Sequence, residues 1–103
     1  MSKYNAKKIT IDGYLFDSLM ESRRYENLKL MVVSGDIESL EIHPVFPLVV
    51  NDKRIGKYIA DFQYTENGKQ IIEDVKGFKT SLYRLKKRLV EALYGVEILE
   101  THE

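Results

Sequence analysis

The chain has no cysteine and only two histidines among its 103 residues. Without cysteine there can be no disulfide, no thiolate zinc site and no cysteine nucleophile. Two histidines, His43 and His102, are too few for a multi-histidine metal site within one chain. Any metal that this chain binds is therefore expected to sit among oxygen ligands.

Long apolar runs are also absent. No stretch reaches the ~18 consecutive apolar residues of a membrane-spanning helix, and the N-terminus MSKYNAKKITIDG lacks the apolar segment of a signal peptide. We therefore expect a cytosolic protein with no membrane partner. An apolar fraction of 44% with 31% charged residues is typical of folded proteins, and the length suits one domain spanning residues 1–103.

Positive and negative side chains balance, with 16 lysines and arginines against 16 aspartates and glutamates. Their distribution is uneven, because residues 76–88 contain six basic side chains and no acidic one. Such a segment indicates a polyanionic partner. A solvated helix face explains the same run equally well, so both interpretations stay open.

The N-terminal arm and hairpin occupy residues 1–16. Ile9 and Ile11 alternate with polar residues, and the pair Asp12-Gly13 that follows is a strong hairpin signal. A two-stranded ribbon is marginal by itself. We therefore expect the hairpin either to extend the main sheet or to pair with its copy in a homodimer.

Two segments carry the spacing and end signals of helices. The first begins at Asp17 or Ser18 and ends at Gly35, with an apolar face that includes Leu28, Met31 and Val32. The second runs from about residue 80 to Tyr94. Its predicted apolar face carries Leu82, Leu85, Leu89, Ala92 and Leu93, with Arg84, Lys87 and Arg88 on the opposite, solvated side.

Three strands are predicted between the helices and a fourth after them. Pro44 and Pro47 indicate that the first, over residues 37–50, bends or runs along a sheet edge. The second covers residues 54–64, where Tyr58, Ala60, Phe62 and Tyr64 would share one face. The third covers residues 69–77 and the last residues 96–100. The order predicts an α/β fold with a central mixed sheet behind an N-terminal hairpin.

The stretch IIEDVKG, residues 71–77, places three charges in an otherwise apolar strand. Residues two apart project to the same side of a strand, so Asp74 and Lys76 share a face while Glu73 points away. Counting back across the intervening turn brings Asp61 of the preceding strand near Asp74. Two carboxylates raise each other's pKa unless they share a cation.

A divalent ion resolves that repulsion. Mg²⁺ prefers carboxylate, carbonyl and water oxygens, which Asp61, Asp74 and the Val75 carbonyl would supply. Lys76 then has two interpretations: a salt bridge to one of the aspartates, or a lysine that assists an attacking water or stabilises charge on a phosphate. A phosphodiester is the natural substrate for such a site.

Glu21 also has two interpretations. With Ser18 it forms the pattern S-x-x-E, a capping box that accounts for its presence without any function. Alternatively, the first helix packs beside the sheet and offers Glu21 as a third carboxylate near the metal.

These residues in this order resemble the restriction-endonuclease-like superfamily, whose signature is PD-(D/E)xK on an αβββαβ core. The match comprises Glu21 on the first helix, Ala60-Asp61 at the first motif and Asp74-Val75-Lys76 at the second, with Ala60 in place of the proline. More narrowly, four segments across residues 14 to 100 resemble small phage-encoded nucleases related to Holliday-junction resolvases: FDSLMESRRYENLKLM, YIADFQY, EDVKG and TSLYRLKKRL.

The resemblance implies hydrolysis of DNA phosphodiesters by an activated water, with Mg²⁺ or Mn²⁺ and no organic cofactor. Asp61 and Asp74 would hold the metal, Glu21 would support it, and Lys76 would assist the nucleophile or the transition state. Branched DNA such as a four-way junction is the implied substrate, and a C2 homodimer would suit its near two-fold symmetry. The implied location is the cytoplasm of a bacterial host. A nuclease without junction preference, an inactive DNA-binding module and a structural phage protein remain alternatives.

Several side chains are candidates for contacts with DNA. Helix N-termini favour phosphates, which points to Lys79, Thr80 and Ser81 at the start of the second helix. The other candidates are Tyr83 and Lys87 on that helix, Arg23 and Arg24 on the first helix, and Lys7 and Lys8 in the arm, with Lys3, Arg84 and Arg88 as weaker ones. Arg23 and Arg24 can instead pair with Glu21 and Glu26 at the surface.

Overall fold

A computed structural model describes residues 8–76 and 78–102 of the chain. Its elements are β1 (Ile9–Ile11), β2 (Tyr14–Phe16), α1 (Leu19–Ser34), β3 (Glu38–Ile42), β4 (Val45–Val50), β5 (Lys53–Ile59), β6 (Phe62–Glu66), β7 (Lys69–Val75), α2 (Ser81–Tyr94) and β8 (Ile98–Thr101). Within these two ranges, neither helix has the length and apolarity needed to cross a membrane. The predicted DNA contacts Lys3 and Lys7 lie outside the described residues.

The main sheet has four strands in the order β3-β6-β7-β8. The strand β6 is antiparallel to both β3 and β7, whereas β8 is parallel to β7. Parallel neighbours need a crossover connection, and α2 supplies it. The predicted α/β class with a mixed sheet, an N-terminal hairpin and two helices is therefore confirmed.

Two of the predicted strands are each split by a bend. The first breaks into β3 and β4 at His43-Pro44, and the second breaks into β5 and β6 at Ala60-Asp61. The two breaks face each other, because His43 N–H donates to the Asp61 carbonyl (3.0 Å) and Ala60 N–H donates to the Pro44 carbonyl (3.1 Å). The bend predicted at Pro44 is confirmed, and β3 does lie at the sheet edge.

The bend separates β4 and β5 into a two-stranded sheet of their own. It also corrects the face predicted for residues 58–64, because alternation does not continue through the break. Tyr58 and Ala60 are buried with α2, whereas Phe62 and Tyr64 are buried with α1. The described residues therefore form two apolar clusters, one on each side of the main sheet.

The cluster beneath α1 also contains the hairpin. Asp12 and Gly13 adopt positive φ angles (54° and 83°), as the predicted hairpin turn requires. Phe16 is fully buried, with its ring centroid 4.9 Å from that of Tyr25. The hairpin forms its own two-stranded sheet and does not extend the main one. Its pairing with a second copy stays a prediction.

The ends of α1 lie where the sequence predicted them. The Ser18 hydroxyl accepts the N–H of Glu21 (3.1 Å), and Gly35 ends the helix at φ 84°. Leu28 is fully buried, which stabilises the domain by about 2 kcal/mol. Val32 was predicted on the same apolar face but is exposed.

The second helix has the predicted ends, but most of its predicted apolar face is wrong. Leu89 packs against the core as predicted, whereas Leu82, Leu85 and Leu93 are 61%, 55% and 42% exposed. The side that meets β4 and β5 carries the buried Val90 together with Tyr83 and Tyr94. Large aromatic side chains bury more area and also form hydrogen bonds, as the Tyr94 hydroxyl does to the Pro47 carbonyl (2.7 Å).

Candidate metal centre and nucleic-acid interface

Asp61 and Asp74 lie side by side at the bend of the second strand. The Asp61 N–H donates to Asp74 Oδ1 (3.2 Å), and the Val75 N–H donates to Asp61 Oδ2 (2.7 Å). These reciprocal bonds between a carboxylate of one strand and the backbone of the other fix both side chains. The structure thus brings the two predicted carboxylates together, and Val75 lies beside Asp61. Metal ligation by the Val75 carbonyl stays a prediction.

Asp74 is 1% exposed, and within the described part of the chain its Oδ2 has no hydrogen-bond partner. A buried carboxylate oxygen left in this state is costly. Burial raises the pKa of Asp74 to about 6, and burial also raises the pKa of Asp61. Both carboxylates are therefore charged at neutral pH only against a desolvation penalty, which a bound cation would offset.

Glu21 extends from the first turn of α1 into the same site. Its Oε1 lies 3.0 Å from His43 Nε2, and one ligand atom each of Glu21, His43 and Asp61 lies within 4.8 Å of the others. Burial, and then repulsion from Asp61, raise the pKa of Glu21. Ser18 caps the helix, so half of the predicted capping box is present. The Glu21 carboxylate itself contacts His43.

Sequence reasoning did not place His43 in the site. It treated the two histidines only as too few for a multi-histidine centre, and expected oxygen ligands alone. The sequence signal that could have indicated His43 is the pair His43-Pro44 inside a predicted strand. Proline interrupts the backbone hydrogen bonds of a strand, and the side chains change direction there. His43 has φ 55°, a left-handed conformation that few non-glycine residues adopt.

Lys76 follows β7 directly and lies next to Asp74. Its Nζ is 3.9 Å from Asp74 Oδ1 and 4.2 Å from the centroid of the Tyr83 ring. The first distance is long for a hydrogen-bonded salt bridge, and the second is a cation–π contact. The ammonium is therefore held beside the carboxylates without being fully neutralised by them.

Glu73 lies on the opposite face, as predicted, and is completely buried there. Arg24 donates to both of its oxygens, from Nε to Oε2 (2.7 Å) and from Nη2 to Oε1 (2.9 Å). The hydroxyls of Tyr64 (2.6 Å) and Thr101 (3.1 Å) also donate to it. The alternative that Arg24 pairs with Glu21 or Glu26 is corrected, because its guanidinium pairs with Glu73. Its contact with DNA stays a prediction.

Three of the predicted DNA contacts converge on one acidic residue. Glu100 of β8 is the register partner of Asp74 and lies beside it. Lys79 Nζ (2.9 Å), Lys87 Nζ (3.5 Å) and the Tyr83 hydroxyl (2.7 Å) all reach its carboxylate. Hydrogen bonds from Tyr83 and Lys79 lower the pKa of Glu100 to about 2. Sequence reasoning missed this acid, which partly neutralises the basic segment.

The remaining predicted contacts are scattered. Thr80 uses its hydroxyl to accept the Tyr83 N–H (3.0 Å) as the cap of α2, and Ser81 is exposed beside it. Lys8 pairs with Asp17 (3.3 Å) at the surface. Arg23 is exposed and lines a cleft of about 300 Å³ behind the site.

Two clefts give access to the candidate site and meet at Ile59. One, of about 340 Å³, is lined by Leu15, Asp17, His43, Ile59, Ala60 and Asp61. The other, of about 310 Å³, is lined by Lys57, Tyr58, Ile59, Lys76, Thr80, Leu82, Tyr83 and Lys86. The second cleft is basic, and sequence reasoning assigned neither Lys57 nor Lys86 to the site.

Comparison with known proteins gives a family and no function. No curated protein matches the chain. The family model described as "Protein of unknown function (DUF1064)" matches residues 1–100. Because this match covers nearly the whole chain, the protein belongs to the DUF1064 family.

Proposed function

We propose that the protein is a divalent-metal-dependent DNA endonuclease that acts on branched DNA such as four-way junctions. The observation that carries this proposal is the pair Asp61 and Asp74, locked together by hydrogen bonds to each other's strands, with one buried Asp74 oxygen lacking a partner. Lys76 lies beside the pair. A bound cation would make the charges of the two carboxylates favourable, and an anionic substrate would do the same for the Lys76 ammonium.

The order of elements supports a restriction-endonuclease-like core. When each bent strand is counted once, the described chain runs α1, three antiparallel strands, α2 and β8, which is the αβββαβ order. Asp61 then lies on the second of these strands, and Asp74 and Lys76 lie at the end of the third. The resemblance in sequence assigns the motif residues to the same places.

The donors of the site suit Mg²⁺ or Mn²⁺. Asp61 and Asp74 offer carboxylate oxygens, and Glu21 adds a third within reach of Asp61. A bound ion would supply the positive charge that neutralises these carboxylates and polarises a phosphate oxygen. Hydrogen bonds from the backbone already orient the Asp61 and Asp74 carboxylates.

The proposed reaction is hydrolysis of a phosphodiester. A water oxygen forms a bond to phosphorus, the bond from phosphorus to one ester oxygen breaks, and the proton lost by the water ends on the leaving oxygen. Lys76 stabilises the negative charge that develops on the phosphate, since its ammonium is fixed by Asp74 and the Tyr83 ring.

The basic cleft supplies a path for the DNA backbone. Lys57, Lys76 and Lys86 line it together with Thr80 at the N-terminus of α2. Lysines neutralise phosphates, and free N–H groups at a helix N-terminus add to the attraction. A neighbouring cleft of about 320 Å³ carries Lys79, Arg84, Lys87 and Arg88, although Glu91 and Glu100 share it.

Cleavage assays test this function. The purified protein is incubated with matched duplex, flap and four-way substrates in Mg²⁺, Mn²⁺ or EDTA, beside Asp61→Asn, Asp74→Asn and Lys76→Ala. We expect metal-dependent cleavage that each substitution abolishes, with Lys69→Ala at the far end of β7 as a matched control. Full activity in EDTA or in Asp74→Asn contradicts the mechanism. Binding without cleavage by the unaltered protein indicates an inactive DNA-binding module.

Substrate preference and assembly are separate parts of the proposal. Equal cleavage of all three substrates removes the junction preference and leaves a general nuclease. A C2 homodimer would present two sites to the two strands of a junction. Sedimentation analysis of the free protein and of its junction complex tests that assembly, and a single copy per junction contradicts it.

A further inference from the structure

His43 is held in the candidate site by contacts on several sides. Its N–H donates to the Asp61 carbonyl (3.0 Å), and its ring centroid lies 5.7 Å from that of the buried Phe16. Its left-handed backbone is uncommon for a non-glycine residue and persists only where the surroundings fix it. These contacts aim Nε2 at Glu21 Oε1, 3.0 Å away.

A simple hydrogen bond between His43 and Glu21 leaves two features without explanation. Asp61 brings a second carboxylate to the same point, with all three ligand atoms inside 4.8 Å. Asp74, bonded to the Asp61 backbone, keeps a buried oxygen for which the described residues provide no partner. One imidazole cannot satisfy three carboxylates, whereas a divalent cation can. The cleft of about 340 Å³ exposes His43 and Asp61 to solvent, so an ion can enter.

We propose that His43 Nε2 is a ligand of the same ion, so that nitrogen from His43 joins oxygen from Glu21, Asp61 and Asp74. This inference shares the metal site of the proposed function but predicts a different selectivity. Imidazole binds transition metals well and Mg²⁺ poorly, and affinity of such sites rises from Mn²⁺ towards later transition metals. The site should therefore bind Mn²⁺ more tightly than Mg²⁺.

Metal binding without DNA tests this assignment. Free Mn²⁺ is measured by electron paramagnetic resonance, and Mg²⁺ binding by calorimetry. We expect His43→Asn to weaken Mn²⁺ binding about tenfold or more, which is the loss seen when groups that support metal ligands are removed. The same substitution should change Mg²⁺ binding less than about threefold. Asparagine tolerates positive φ better than alanine does, and thermal unfolding checks that the variant is folded. His102→Ala removes the other histidine and should leave Mn²⁺ binding unchanged.

The outcomes separate this inference from the proposed nuclease activity. Mn²⁺ binding that survives His43→Asn but is lost in Asp61→Asn overturns the role of His43 and leaves the nuclease proposal standing. Mn²⁺ binding that depends on His43 in a protein that cuts no DNA supports the ligand and overturns the nuclease. If the unaltered protein binds neither ion, the ligand assignment is wrong.

Discussion

Glu73 and Asp74 are neighbours in β7, and both are almost completely buried, at 0% and 1% exposed. Every oxygen of Glu73 is bonded, to Arg24 and to the hydroxyls of Tyr64 and Thr101. Asp74 has one oxygen bonded to the Asp61 N–H and, in the described part of the chain, one with no partner. The fold thus neutralises the charge of Glu73 and leaves the charge of Asp74 with a desolvation penalty. The first arrangement is expected of a structural carboxylate, and the second of a carboxylate with a function.

Neutralising Asp74, the carboxylate proposed to hold the metal, should have the largest effect on the proposed activity. Asp74→Asn removes a candidate metal ligand while keeping nearly the same shape, so we expect the cleavage rate to fall by about a thousandfold or more, about 4 kcal/mol in transition-state stabilisation. Initial rates on a four-way substrate measure it. Stability should be unchanged or higher, because the substitution removes a desolvated charge. A variant that loses activity only because it unfolds contradicts the comparison.

Neutralising the structural carboxylate should do the reverse. Glu73→Gln leaves the Arg24 guanidinium without its counter-charge, and we expect a loss of roughly 3 kcal/mol in the free energy of unfolding. Urea denaturation measures this loss. Below its lowered melting temperature, the folded variant should still cut DNA at close to the normal rate. If Glu73→Gln is as stable as the unaltered protein but inactive, the two roles have been assigned the wrong way round.

Asp74 should also make the stability of the protein depend on pH. Burial raises the pKa of Asp74 from 3.8 to about 6, so between these values the folded state binds more protons than the unfolded state. Stability must therefore fall as pH rises through this window, by roughly 2 kcal/mol from this residue. Urea midpoints from pH 4 to 7 in EDTA measure the fall. Asp74→Asn should flatten the profile, and an unaltered profile in that variant contradicts the raised pKa.

Local signals in the sequence predicted the parts of this molecule that depend on neighbouring residues. Ser18, Gly35 and Asp12-Gly13 mark the ends and turns at which they are found, and strand alternation separated Glu73 from Asp74. The partner of Glu73 lies 49 positions away in α1, and no local pattern identifies it. Only tertiary packing decides such a pair.

Two further features depended on tertiary structure. The orientation of α2 was mispredicted because both of its sides carry large apolar residues, and Val90 and the hydrogen-bonded Tyr83 lie on the side that packs against the core. The bend at Ala60-Asp61 carries no breaker of its own and lies opposite Pro44, whose carbonyl accepts the Ala60 N–H. That bend brings His43 to Asp61, so the site could be predicted only in part.

Lysines inside and outside the basic cleft can be compared in the same way as the two carboxylates. Their substitutions are expected to have the smallest effects. Lys57 and Lys86 line the basic cleft on the Asp74 side, whereas Lys69 begins β7 at its other end. Replacing Lys57 and Lys86 together by alanine should weaken binding to a four-way junction about tenfold at moderate salt and lower the salt dependence of binding. Fluorescence anisotropy in EDTA, which prevents cleavage, measures both. Lys69→Ala should change neither, because Lys69 does not line the basic cleft. Equal losses in the double variant and in Lys69→Ala would mean that DNA binds through overall charge and that this cleft does not guide it.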